Sequence, residues 1–194
     1  MDLYIEALSR FRNLLKEAQK TDLLEPTAMT LATCDAHGYP TARTVLLKKV
    51  DALGFAFYTN LNSRKARQLE SNPRAALCFF WQPLMQQVTI EGSVQILSDE
   101  EAEAYWNTRE RDSQIVAWAS NQSERLDSQQ TLQRRHEQYR DRFKDQKVPR
   151  PADWSGYRIV PQRIEFWKSG WHRLHERVCY SKSEEGWKVT LLYP

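Results

Sequence analysis

The chain has 194 residues, 41% hydrophobic and 27% charged, with a formal net charge of +3. That length supports one domain with a real core, and so mild a basic balance calls for no nucleic-acid partner while suiting a small anionic ligand. No apolar run approaches the roughly 18 residues of a membrane span, the start reads as amphipathic rather than as a signal peptide, and three scattered cysteines without CxxC spacing read as reduced thiols. The expectation is therefore a cytoplasmic protein with no membrane association, no disulfide framework and no metal site.

Leu3 to Ala18 has Tyr4, Leu8, Phe11, Leu15 and Ala18 at helical spacing, with polar residues on the other face. After Pro26 the period changes. "MTLATC" and "ARTVLLKKV" flank the turn "DAHGYP", and "FAFYTN" follows a second turn at Gly54. Ser63 is placed to cap a short helix, "RKARQLE", that stops at Asn72-Pro73. "AALCFFW" and "QVTIEGSVQIL" are strand candidates rich in β-branched and aromatic residues. "SDEE", from Ser98, has the capping-box pattern and opens a helix through Tyr105, while residues 123–144 read as a long charged helix. "VPRPADW" is a loop, and "YRIVPQRIEFW", "RLHERVCYS" and "GWKVTLLYP" return to strands. Closely spaced strands with short turns predict an antiparallel barrel or sandwich, mainly β with flanking helices.

The six glycines form no G-x-G, so dinucleotide and P-loop fingerprints are missing, as are HExxH and G-x-S-x-G. If the chain binds phosphates, Arg and Lys must do so directly. "NSRKAR" sets Ser63, Arg64 and Lys65 at a helix N-terminus, where unpaired N–H groups and the dipole favour an anion; a solvated helix face is the plain alternative. "RTVLLK" puts Arg43 and Lys48 in an apolar run, on opposite faces of a regular strand unless it twists or bulges. In "HRLHER", Arg173, His175 and Arg177 leave one face if the stretch is a strand, and cations so aligned repel unless an anion sits among them. Tyr105, Arg109 and Ser113 form one stripe if they share a helix, able to hold a phosphate or merely to face water. "NQSERL" brings Gln122 and Ser123 to a helix start, where capping alone accounts for Ser123.

The stretches "RTVLLK", "FYTNLNSRKARQLESNPRAAL", "RDSQIVAWASNQS" and "IEFWKSGWHRLHER" together resemble the pyridoxamine 5′-phosphate oxidase family over nearly the whole chain. The resemblance implies an FMN-binding split β-barrel forming a single domain over residues 1–194, with a dimerisation and substrate segment over 154–194. It implies a homodimer with FMN in clefts between the subunits. The implied reaction is oxidation of pyridoxine or pyridoxamine 5′-phosphate to pyridoxal 5′-phosphate, with dioxygen as acceptor and hydrogen peroxide as product.

Matched motif by motif, the implied FMN-binding residues are Arg43, Thr44, Val45, Leu46, Leu47, Lys48, Tyr58, Thr59, Arg64, Lys65, Gln87, Gln122, Ser123, Trp167 and Arg177. The implied substrate-binding residues are Lys48, Tyr105, Arg109, Ser113, Arg173 and His175, the last two with catalytic roles. Many members carry an N-terminal extension over the substrate and end in an "RLxP"-like tail. Here only Met1 precedes the first helix and Leu191 stands where the Arg is usual, which implies a more open substrate side. The competing readings are a relative oxidising another ring, such as a phenazine precursor, a non-catalytic flavin or haem carrier, and a nucleic-acid-binding barrel.

Overall fold

The computed structural model describes residues 2–194. Asp2 caps helix α1 (Leu3–Ala18) by accepting the Tyr4 N–H at 2.9 Å, and Ala7, Leu8, Phe11 and Ala18 of its apolar stripe are buried. Strands β1 (Ala28–Cys34) and β2 (Pro40–Leu46) form a hairpin around Gly38, whose φ of 83° suits glycine. Then come β3 (Lys49–Asp51), β4 (Gly54–Asn60), α2 (Arg64–Ser71), β5 (Arg74–Trp81) and β6 (Gln86–Ile96). Three helices follow, α3 (Asp99–Trp106), α4 (Arg111–Ala119) and α5 (Gln129–Arg142). The chain closes with β7 (Trp154–Lys168), β8 (Glu176–Ser183) and β9 (Gly186–Leu191).

All pairings in this nine-stranded sheet are antiparallel, in the order β2-β1-β5-β6-β7-β4-β3, with β8 on β7 and β9 on β8. The long strand β7 organises it. One edge of β7 pairs with β6; the other pairs with β4 over its first half and with β8 over its second. The sheet divides around Pro161, which has no N–H to give a ladder. Opposite it the register of β6 shifts between Glu91 and Gly92, and a Cβ on Gly92 would stand 2.1 Å from the Val160 carbonyl oxygen. Only glycine admits that approach. At the far end, the N–H groups of Leu47 and Lys48 donate to Thr27 O and Ala56 O, each at 2.9 Å, so the sheet curls until β2 meets β4.

The interior is filled from α1. The Phe11 ring lies 4.9 Å from Phe55, 5.0 Å from Phe79 and 5.8 Å from Trp81, centroid to centroid. At the other end of α1, Tyr4 stacks on Trp187 of β9, and Glu6 accepts the Tyr180 hydroxyl at 2.7 Å. A second apolar cluster of Trp106, Ile115, Phe143, Val148 and Trp154 seats α3, α4 and α5 against the start of β7.

The expected charged helix over residues 123–144 is shorter. It runs from Gln129, capped by Ser128, while residues 121–127 form turns that hold polar side chains beside the cleft described below. Among the described residues no helix is long and apolar enough to cross a membrane.

Phe11 is fully buried among three aromatic rings, and a cavity there cannot collapse without moving α1 off the sheet. Phe11→Ala is expected to lower the unfolding free energy by about 3–5 kcal/mol, read from the denaturant midpoint at unchanged slope.

Candidate active site

A cleft of about 530 Å³ opens where β2, the end of β4, the N-terminus of α2 and the loop around Gln122 converge. The backbone explains why. Ser63 ends the turn after β4, and its buried hydroxyl accepts the Ala66 N–H at 3.4 Å, starting α2 so that Arg64 and Lys65 of its first turn line the cleft. Lys65, in the first turn, is only 8% exposed. Its ammonium donates to Gln122 Oε1 at 2.8 Å, Thr59 Oγ1 at 3.1 Å and Ser63 Oγ at 3.3 Å, all neutral acceptors. Burial first, and the Arg43 charge second, push its pKa down to about 8.

Arg43 is fixed just as closely. Its guanidinium donates to Leu31 O at 3.1 Å and Thr33 Oγ1 at 2.6 Å, and it also contacts Thr41 and Gln68. The Thr33 and Thr41 hydroxyls both donate to Gln68 Oε1 at 2.7 Å, so a residue of α2 sets the rotamers that hold an arginine of β2. Burial, then the neighbouring Arg64, lowers the pKa of Arg43. Among the described residues no carboxylate forms an ion pair with Arg43, Lys48, Arg64, Lys65 or Arg109.

The structure brings Arg43, Thr44, Val45, Leu46, Lys48, Tyr58, Thr59, Arg64, Lys65, Tyr105, Arg109, Gln122 and Ser123 to the walls of this one cleft. Arg43 and Lys48 reach it together because β2 ends at Leu46 and the chain turns before β3, which removes the opposite-face problem of a continuous strand. Leu47 instead points into the core at 4% exposure. Ser123 does not start a helix; it sits in a turn with φ 73°. Nor do Tyr105, Arg109 and Ser113 share a helix. Residues 107–110 break it between α3 and α4. That break turns the Arg109 guanidinium back to donate to the Ser113 backbone oxygen at 2.9 Å, and the Ser113 side chain is not among the cleft's walls.

Gln87, Trp167 and Arg177 lie elsewhere in the chain, in a row across β6, β7 and β8, each directly opposite the next. Arg177 donates through Nε to Glu165 Oε1 at 2.7 Å and through Nη1 to Tyr193 O at 2.9 Å. Arg173 and His175 are not in a strand with Arg177. The chain makes a tight turn over Trp171–Arg173, with φ of 52° at His172 and 67° at Arg173, and β8 starts only at Glu176. A Cβ on Gly170 would lie 1.7 Å from Leu174 O, so the turn closes only over glycine. The Gly170 N–H donates to His175 Nδ1 at 3.2 Å, which leaves the ring proton of neutral His175 on Nε2. The Trp167 and His175 rings are 4.7 Å apart, joining the turn to the row on the sheet.

Four residues that sequence reasoning passed over support these groups: Thr33, Gln68, Glu165 and Trp154. Gln68 is a polar residue on the buried face of α2, which is the one signal in the sequence that it has a partner. Trp154 is hidden in a stretch that reads as loop.

The whole chain matches known proteins. The family model described as pyridoxamine 5′-phosphate oxidase covers residues 15–143, and that described as the pyridoxine 5′-phosphate oxidase C-terminal dimerisation region covers residues 154–194. The chain is 52% identical over 196 residues to the pyridoxine/pyridoxamine 5′-phosphate oxidase of Alkalilimnicola ehrlichii, covering 100% of both. To the protein of that name from Xylella fastidiosa (strain Temecula1) it is 50% identical over 198 residues, covering 100% of this chain and 95% of the other. Among solved structures, PhzG from Burkholderia lata, in complex with tetrahydrophenazine-1-carboxylic acid, superposes with a TM-score of 0.92 at 29% identity, over 96% of this chain and 92% of that one. A pyridoxamine 5′-phosphate oxidase-related FMN-binding protein from Nostoc punctiforme shares the fold, with a TM-score of 0.75 at 15% identity, over 95% and 97% of the chains. With both halves matched and the curled sheet in common, the chain belongs to the pyridoxamine 5′-phosphate oxidase family, FMN-dependent oxidoreductases on a split β-barrel.

Proposed function

We propose that this chain oxidises pyridoxine 5′-phosphate or pyridoxamine 5′-phosphate to pyridoxal 5′-phosphate, with dioxygen as electron acceptor and hydrogen peroxide as product. It works as a cytoplasmic homodimer in which residues 1–194 form one FMN-binding domain and residues 154–194 carry the dimerisation and substrate segment. The observation that carries this reading is the cleft's set of cations, of which Arg43, Lys65 and Arg109 are held by neutral oxygens and none, among the described residues, is ion-paired with an acid. Such a set is poorly balanced until anions enter. Two phosphate-bearing ligands, FMN and a phosphate ester, meet that need.

The residues present fit FMN. Arg43, Arg64 and Lys65 surround the start of α2, where the dipole adds to their attraction for a phosphate, and the buried Lys65 lacks only a counter-anion. Thr59 and Gln122 orient that ammonium. The chemistry supplied by bound FMN is the uptake of a hydride from the substrate's C4′ carbon and the passing of two electrons to dioxygen. Lys48, Tyr105 and Arg109 line the rest of the cleft and hold the substrate by its phosphate, the end that does not react. Arg173 and His175, with Gln87, Trp167 and Arg177, come from the second subunit, because none of them lines the cleft of their own chain. His175 serves as a hydrogen-bond donor through Nε2, since taking a proton on Nδ1 would break its bond to Gly170.

The likeness to PhzG favours a second reading, oxidation of another ring compound on the same scaffold. Purified protein supplied with FMN should form pyridoxal 5′-phosphate and peroxide in equal amounts from the phosphate esters, and far more slowly from unphosphorylated pyridoxine. Equal rates with and without the phosphate would favour the second reading.

The depressed pKa of Lys65 links FMN binding to pH. The phosphate favours the ammonium form, so binding above pH 8 takes up a proton, and FMN affinity should fall as pH rises past about 8. The FMN-free protein should show the opposite trend in stability. Its unfolded chain holds the Lys65 proton more tightly, so stability rises with pH from about 8 towards 10.5, the ordinary lysine value. Flavin fluorescence titrations across this range test the first statement. Lys65→Met should flatten the profile and weaken binding at neutral pH by about ten- to a hundredfold.

Sharing of sites between subunits has its own test. Lys65→Met damages the cleft and Trp167→Ala damages the row on the sheet, and each alone should be strongly impaired when FMN is supplied at a concentration just enough to load the wild type. Unfolded together and refolded at equal ratio, the two should regain about a quarter of wild-type turnover, from one intact site in each mixed dimer. No recovery would mean that both sets of residues act within one chain.

A further inference from the structure

Arg109 is held in an unusual way. Its Nε is buried and has no hydrogen-bond acceptor, and Nη2 makes one bond, to the Ser113 backbone oxygen. What faces the guanidinium is aromatic. Its carbon lies 5.0 Å from the centroid of Trp154 and 5.7 Å from that of Trp106. We propose that Trp154 is the positioning residue of the substrate's phosphate grip: its ring face, in place of a carboxylate, orients Arg109 and leaves the guanidinium charge free for the phosphate ester. This rests on the reading of Arg109 as a phosphate ligand.

An arginine in a cleft must be kept from swinging out, and the common device is an acidic partner. Here an acid would neutralise the charge and repel the incoming dianion. A ring attracts the cation through its quadrupole and takes none of the five N–H donors. Tryptophan is the strongest of the aromatic partners. The platform is itself rigid. Trp154 is 4% exposed and starts β7 opposite Asn60 of β4. Its carbonyl accepts from Arg150 at 2.7 Å and its N–H donates to Pro151 O at 3.0 Å. The indole meets Trp106 edge-on at 4.8 Å and lies nearly parallel to Tyr58 at 5.4 Å. Tyr58 in turn stacks on Tyr105 at 4.0 Å. One stack therefore ties Tyr58 and Tyr105 of the cleft to Arg109. The plain alternative is that Trp154 is only a core residue of the second apolar cluster.

The two readings differ in whether Trp154 acts through Arg109. The test is a double-mutant cycle on the FMN-loaded full-length protein, with Trp154→Leu, Trp154→Phe, Arg109→Met and the two combinations. The ligand is 4-deoxypyridoxine 5′-phosphate, which keeps the phosphate but lacks the oxidisable group. Its Kd is measured by calorimetry beside kcat, FMN content and thermal midpoint. Trp154→Leu should weaken binding about tenfold and Trp154→Phe about threefold, while kcat and FMN content stay within about twofold. In the Arg109→Met background neither change should weaken binding further. Binding of phosphate-free 4-deoxypyridoxine should be indifferent to Trp154. An equal loss in both backgrounds, or for the phosphate-free ligand, would refute the positioning role and leave Trp154 as core. If Arg109→Met alone leaves the Kd unchanged, the phosphate grip itself is misassigned and the proposal goes with it. Should Trp154→Leu not fold, the Trp154→Phe cycle decides by the same criterion.

Discussion

Lys65 holds its charge beneath the surface with three neutral oxygens around it, Gln122 Oε1, Thr59 Oγ1 and Ser63 Oγ. Much of the site follows from that one arrangement. Removing an ammonium from water costs several kcal/mol even when it is well hydrogen-bonded, and a carboxylate partner would be the ordinary remedy. The fold withholds one. It brings Arg43 close instead, with Arg64 beside Arg43 in turn, so repulsion adds to desolvation. The rest of the protein must hold these groups in place against that pressure, which a phosphate bound as in the proposed function would relieve. On that proposal the protein's own stability is tied to its ligand.

The scaffold that does the holding is the barrel and the helix that fills it. The Phe11 rings of contact fix α1 inside the curl of the sheet, and the curl brings β2 against β4. Arg43 then meets Gln68 of α2, and Lys65 meets Thr59 of β4. Strand β7 serves both halves of the molecule. Its start, at Trp154, supports the cleft; its end, at Trp167, carries the row shared with β6 and β8. Pro161 and the bulge at Gly92 separate the two ends, and they send β4 and β8 to different parts of the same edge. One strand thus joins the cation-lined cleft to the segment that matches the family's C-terminal dimerisation region, residues 154–194.

Local signals in the sequence located most elements because each rests on short-range physics. The helical spacing of Tyr4, Leu8 and Phe11, the caps at Ser63 and Ser98, and the turns at Gly38 and Gly54 all depend on neighbours within a few residues. Expectations failed where a strained turn beats an alternating or helical pattern. Arg173 and His175 alternate with Leu174 as a strand would, yet the chain turns because Gly170 admits the Leu174 carbonyl. Tyr105 and Arg109 have the spacing of one helix, yet residues 107–110 end it and α4 starts afresh after Glu110.

By itself the sequence determined the class of fold and, through four long motifs, the family. Those follow from residue identity and near spacing, which the linear chain displays. Tertiary structure alone decided which cations share a cleft, that among the described residues no acid is ion-paired with them, and that Gln87, Trp167 and Arg177 stand apart from it. It also decided that Arg109 lies over the ring of Trp154, far from it in the chain. Contacts of that kind depend on how the sheet curls and where β7 divides, and neither is written in any stretch short enough to carry a motif.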